Sequence, residues 1–135
     1  MDDANVPSLL SLPLLGFVAV DDPVYQRTRR RILSKDLNPW YFEGSQISGV
    51  GSVHNGADRV WPMSLMVQYL TSTDDLEKRS LMSSLKSASA DLGLFSESVN
   101  ANNLDSFTRA DFGLANALFV QLYQYILISL YFQHQ

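Results

Sequence analysis

Apolar residues recur at helical spacing in five stretches of this chain, and the connections between those stretches differ greatly in length. A first helix is expected after Asn5, a good N-cap, with Pro7 in its first turn and Leu9, Leu10 and Leu15 along it until Gly16. A second opens at Asp22-Pro23 and runs through Ile32-Leu33, with Asn38-Pro39 blocking any extension. The third starts at Trp61-Pro62 and sets Met63, Met66, Tyr69 and Leu70 on one stripe. The fourth follows the capping run Ser72-Thr73-Asp74-Asp75, carries Leu81, Met82, Leu85 and Leu92, and ends near Gly93. The fifth runs from about Ala110 through Leu118, Leu122, Ile126 and Leu130.

Helices one and two, and three and four, are joined by short turns. Lys35 to Val60 is a long glycine-rich connector, and Gly93 to Phe107 is a second one in which Leu94 to Val99 reads as briefly extended. Long connectors inside a compact domain usually carry function. The expected fold is therefore all-α, with about five helices joined as antiparallel hairpins and two long loops at one end. On that arrangement Asp2, Asp3, Asn5, His54, Trp61 and Glu97 share a single rim.

With 135 residues and 46% hydrophobic content the chain can bury one core, so a single domain over 1–135 is expected. A net charge of −4 argues against a nucleic-acid partner, which needs a basic face. The cluster of Arg27, Arg29, Arg30 and Arg31 lies within a helical pattern and reads as a solvated face. No cysteine is present, which removes disulfides and thiolate metal sites. Asp2 and Asp3 stand where a basic leader region would be, so no secretory signal is expected at Met1, and the compartment stays open. Ala115 to Phe132 is largely apolar. It is interrupted by Asn116, Gln121, Gln124 and Ser129 and has no flanking Lys or Arg, so a helix buried on most of its circumference is expected rather than a membrane span.

Glu97, between Leu94-Phe95 and Val99, reads either as a general acid or base or as an ordinary exposed loop glutamate. Asp2, Asp3 and Asn5 suit sugar hydroxyls, and they equally suit capping of the first helix. His54 lies on the flexible run Gly49-Val50-Gly51-Ser52-Val53-His54-Asn55-Gly56, where a ligand contact is more natural than in a core, but a lone histidine makes no metal site. Trp61, Trp40, Tyr41 and Phe42 offer rings to stack on sugars or to anchor the connector. Neither a calcium loop nor a phosphate loop has the required spacing. His54 and His134 are the only histidines and no nucleophile elbow occurs, so no serine-based catalytic set stands out.

Several ordered blocks together resemble one family. They are Met1-Asp2-Asp3-Ala4-Asn5 through Pro13, Arg31-Ile32-Leu33-Ser34, Asn38-Pro39-Trp40-Tyr41-Phe42-Glu43-Gly44, Gly49 through His54, Trp61-Pro62-Met63-Ser64-Leu65, Leu70 through Asp75, and Glu97-Ser98. Up to about Phe119 the chain is similar to glycoside hydrolase family 125. That resemblance implies an exo-α-1,6-mannosidase that inverts configuration, uses no metal or other cofactor, and folds as an (α/α)6 barrel. It places Glu97 on the family's catalytic glutamate, the base that activates water, and gives Asp2, Asp3 and His54 contacts to a mannose-containing oligosaccharide, beside which Asn5 and Trp61 stand as binding candidates on their own chemistry. The family's general acid is an aspartate upstream of the Asp2-Asp3-Ala4-Asn5 block, and neither Asp2 nor Asp3 takes its place. The block Phe107-Thr108-Arg109-Ala110-Asp111-Phe112 and onward to Asn116 lacks the proline and both tryptophans that the family carries there, and Val53 replaces a common proline.

The resemblance therefore implies a C-terminal part of a catalytic (α/α)6 barrel, inactive alone for want of the general-acid region, with self-association through apolar helices left without partners. Two alternatives remain at this level, a non-catalytic carbohydrate-binding remnant and a degenerate gene product.

Overall fold

A computed structural model describes residues 2–89 and 93–133. Met1, Leu92 and His134 lie outside the described residues. The all-α expectation, and with it the partial (α/α)6 barrel, is overturned. Four α-helices and two small antiparallel sheets form among the described residues.

The order is α1 (Pro23–Ile32), β1 (Tyr41–Glu43), β2 (Ser48–Val50), β3 (Arg59–Val60), α2 (Pro62–Leu70), α3 (Asp75–Ala88), β4 (Ser98–Asn100), β5 (Asn103–Thr108) and α4 (Gly113–Gln133). The expected first helix does not form. Pro13 has no N–H to donate, and Ser8 and Ser11 satisfy each other's backbone instead: Ser8 N donates to Ser11 Oγ at 2.8 Å, and Ser11 Oγ to Ser8 O at 2.9 Å. The segment becomes a series of turns that ends at Gly16, which sits at φ +69°.

The other helices start where their capping chemistry puts them. Asp22 accepts from Val24 N and Tyr25 N, and Pro23 stands at the first helical position of α1. Asn38 closes the far end of α1 by donating from Nδ2 to Ile32 O at 3.0 Å. Asp74 caps α3 through Leu76 N, with Asp75 and Glu77 in the first turn.

Both long connectors contain strands. β1 and β2 pair antiparallel with Tyr41 opposite Val50, Phe42 opposite Gly49 and Glu43 opposite Ser48. β3, β4 and β5 form the second sheet in that order, with Val60 opposite Val99 and Val99 opposite Phe107. Along β5, Leu104, Ser106 and Thr108 turn inward while Asn103, Asp105 and Phe107 turn out.

The core gathers around α2. Its residues Pro62 to Val67 are all buried, wrapped by Leu81, Leu85 and Ala88 of α3, Ala115 and Leu122 of α4, and Val50 and Val60 of the sheets. α4 is the second correction. It is not covered on most of its circumference: from Gly113 to Phe132 it is long and apolar enough to cross a membrane, with mean hydropathy 1.4, and only 11% of that stretch is buried.

A polar staple ties α1 to α2 and α3. Arg29 donates to both carboxylate oxygens of Glu77 at 2.9 Å and to Gln68 O at 3.2 Å, while Gln68 Nε2 donates to Glu77 at 2.7 Å and Ser72 Oγ also donates to it. Arg29 is thus not part of the solvated face expected for its basic cluster. Burial pushes the Glu77 carboxyl upward, but the hydrogen bonds from Ser72, Gln68 and Arg29 and the charge of Arg29 outweigh it and hold the group below its ordinary value of 4.5. A depressed folded value means that this contribution is complete above the ordinary value and disappears as pH falls through the folded one. Replacing Arg29 with Met is expected to cost about 2 kcal/mol at neutral pH, and less at acid pH, in urea melts run across the acid range.

Candidate functional site

The site is assembled from the chain start and the two long connectors. Ala4 N donates to Gly51 O at 2.9 Å, which pins the N-terminal segment beside the residues that follow β2. Gly51 must be glycine, because a Cβ there would lie 2.0 Å from Arg59 O and 2.7 Å from the Phe42 ring. Ser52, fully buried, is the junction: it donates to Asp3 Oδ2 at 3.1 Å and accepts from Asn5 Nδ2 and His54 N, each at 3.2 Å. Asn5 therefore does not cap a helix. Its side chain is held between Asp3 and Ser52.

Glu97 precedes β4, its N–H bonded to the carbonyls of Thr108 and Arg109, and only 2% of the residue is exposed. The bland expectation of an exposed loop glutamate is overturned. Its Oε2 accepts from Asn55 Nδ2 at 2.9 Å and Thr108 Oγ1 at 3.0 Å. Its Oε1 faces the Arg109 guanidinium at 3.0 Å and His54 Nε2 at 3.8 Å. Thr108 is itself held by Ser98 Oγ, 2.7 Å away. Burying a carboxylate this deeply is costly unless it is paired and hydrogen-bonded, and here both conditions are met.

Arg109 sits at φ +44°, a left-handed backbone conformation that costs a side-chain-bearing residue on the order of 1 kcal/mol. That turn brings the guanidinium over Glu97, and its carbon also lies 6.0 Å from the Phe112 ring centroid.

The expected site residues separate into groups. A continuous path of contacts runs from Asp3 and Asn5 through Ser52 to His54, and from His54 to Glu97. Trp61 stands behind it, edge-on to His54 at 6.4 Å and to Phe112 at 6.0 Å between centroids. At 3% exposure Trp61 has no open ring face for a sugar, and its buried Nε1 makes no hydrogen bond. Asp2 turns aside. Burial raises its carboxyl above the ordinary value of 3.8, against the pull of the Leu9 and Leu10 backbone N–H groups. Trp40, Tyr41 and Phe42 pack partly buried against the core.

Four contributors escaped sequence reasoning: Ser52, Asn55, Thr108 and Arg109. Ser52 and Asn55 flank the His54 segment, and Thr108-Arg109 lies in the block from Phe107 that departs from the family in its aromatic residues, so adjacency is the available signal. A concavity of about 680 Å³ between α3 and α4, floored by Leu85, Phe95 and Phe119, shares no residue with the Glu97 cluster. Among the described residues no group of three or more His, Asp or Glu side chains could hold a metal ion.

Comparison with known proteins adds three findings. Residues 1–124 match the family of metal-independent alpha-mannosidases, GH125. The meiotically up-regulated gene 157 protein of Schizosaccharomyces pombe is 59% identical over 122 residues, which is 90% of this chain and 24% of that protein. A metal-independent alpha mannosidase from Streptococcus pneumoniae, solved as a non-productive complex with alpha-1,6-mannobiose, superposes with a TM-score of 0.85 at 43% identity. That match covers 90% of this chain and 28% of the other. The chain thus spans about a quarter of the length of each of these relatives.

Replacing Thr108 with Val removes a donor from buried Glu97 and leaves Ser98 Oγ without its partner. The expected loss is about 1–3 kcal/mol in denaturant melts, with Thr108→Ser recovering most of it.

Proposed function

Since the chain belongs to the GH125 family of metal-independent alpha-mannosidases, we propose that its Glu97 is the general base of an inverting hydrolysis that releases terminal α-1,6-linked mannose. The observation that carries this reading is the occupancy of the carboxylate. An ionised carboxylate offers roughly four acceptor positions. Asn55 and Thr108 take both positions on Oε2, while Oε1 is paired by charge with the Arg109 guanidinium at 3.0 Å and stays open to a water. That water would give its proton to Oε1 as its oxygen attacks the anomeric carbon from the face opposite the leaving group. Two hydrogen-bond donors and one ion pair hold the carboxylate in place, so the base is oriented before the substrate arrives.

His54, beside Oε1 and more than half exposed, is positioned to meet a sugar hydroxyl. Asp3 and Asn5, tied to the same loop through Ser52, offer further polar contacts at the edge of the site. Trp61 acts here as the wall that sets the His54 ring, and Asp2 as a support for the turn after it.

An inverting mechanism needs a second carboxyl group roughly 6.5–9.5 Å from the first, to protonate the leaving oxygen. Neither aspartate of the opening block is assigned to it: Asp2 is turned toward Leu9 and Leu10, and Asp3 is engaged by Ser52 and Asn5. We infer that these 135 residues bind a mannoside without cleaving it. Purified chain should release no mannose from α-1,6-mannobiose, while titration calorimetry detects binding that His54→Ala weakens and Glu97→Gln retains. Release of mannose that Glu97→Gln abolishes overturns the inactivity, and absence of any mannobiose binding overturns the assignment of the site.

A further inference from the structure

Asn55 is the one asparagine of this chain that is followed by glycine, and it is also a hydrogen-bond donor to Glu97. In an Asn-Gly pair the backbone nitrogen of the glycine can attack the side-chain amide carbon of the asparagine. Glycine has no Cβ to obstruct that approach. Three features of the loop favour the reaction. Gly56 N donates to no acceptor among the described residues, so the attacking group is not tied up in a backbone bond. Gly56 sits at φ +82° in open surroundings, with no heavy atom beyond its chain neighbours within 4 Å of where a Cβ would stand. On the asparagine, Oδ1 is buried without a hydrogen-bond partner. The amide is thus held from its nitrogen side alone, by Glu97 Oε2 at 2.9 Å and Thr108 Oγ1 at 3.3 Å.

We propose that Asn55-Gly56 is a self-modification site at which Asn55 deamidates through a cyclic imide and so loses its bond to Glu97. The Gly56 nitrogen forms a bond to Cγ of Asn55 and gives up its proton. The Cγ–Nδ2 bond breaks, and Nδ2 leaves as ammonia with that proton. Water then opens the ring. Breaking the new Cγ–N bond gives aspartate, and breaking the original backbone C–N bond gives isoaspartate. No oxidant or reductant takes part: amide and water become carboxylate and ammonium.

Either product replaces an amide donor with a carboxylate. In the aspartate form the new oxygen stands where Nδ2 stood, 2.9 Å from Glu97 Oε2, so repulsion replaces a charge-assisted hydrogen bond. In the isoaspartate form the main chain gains a carbon atom next to His54. The cluster around Glu97 thus carries a lifetime written into its own sequence. The modification stands on the chemistry of the loop, and only its meaning as an inactivation rests on the function proposed above.

Peptide mapping by mass spectrometry, on full chain held at mildly alkaline pH and body temperature, tests the proposal. Asn55 should be lost many-fold faster than Asn100, Asn103 and Asn116, which precede Ala101, Leu104 and Ala117. Aspartate and isoaspartate should both appear at position 55. Gly56→Asn introduces a side chain that tolerates a positive φ; it should keep the wild-type circular dichroism spectrum and slow the loss several-fold. Ion exchange separates the modified chain by its added negative charge, and that form should unfold at a lower urea concentration than the intact one. Asn55 as durable as Asn103 and Asn116, or an unchanged rate in folded Gly56→Asn, overturns self-modification at this pair. Modified chain that unfolds at the same urea concentration overturns the loss of the Glu97 contact. None of these readouts uses a sugar, so their failure is distinct from failure of the mannoside assignment.

Discussion

A nine-residue helix that buries six successive residues must be covered from every direction, and that requirement organises the molecule around α2. α2 carries no charged side chain, so its whole circumference can be covered at no ionic cost. α3 and α4 close two sides and the short sheets close the others. Its N-terminus has no side-chain cap and is fixed by other means. Trp61 N donates to Val50 O at 3.1 Å, and Ser64 Oγ lies within hydrogen-bonding distance of both Val50 O and Trp61 O. Close packing extends to Gly49, where a Cβ would come within 2.8 Å of Leu65 and Val60. The position of Trp61, and through it the setting of the His54 ring, thus follows from the core.

Glu97 does for the connectors what α2 does for the helices. Its carboxylate draws Asn55 from the first connector and Thr108 and Arg109 from the far end of the second. Segments that would otherwise be independent loops share one buried acceptor. Burial and orientation are therefore coupled at this residue: the contacts that make its burial tolerable also fix the direction in which Oε1 stays open.

Much of the helical framework could be read directly. Asp22-Pro23 and Asp74-Asp75 are local signals whose meaning does not depend on distant residues, and α1 and α3 begin where they stand. The misread segments share the opposite property. Asn5 and Pro7 look like a helix start until Ser52, 47 residues away, takes the Asn5 side chain. The strands of the first connector are two or three residues long, too short for alternation to show, and they exist because partners across the sheet complete them. Burial of Glu97 was equally hidden, since it depends on Asn55, 42 positions upstream, and on Thr108, 11 positions downstream. The expected enclosure of α4 overestimated how much partner surface these residues supply.

Arg109 is held in a left-handed backbone conformation, and this has a consequence for how the chain tolerates sequence change. Glycine would relax that backbone, yet it would strip the cation from Oε1 of Glu97. Relaxing the backbone gains on the order of 1 kcal/mol, whereas a buried carboxylate without its cation loses more, so selection for thermal robustness alone leaves the strained arginine at position 109 in place.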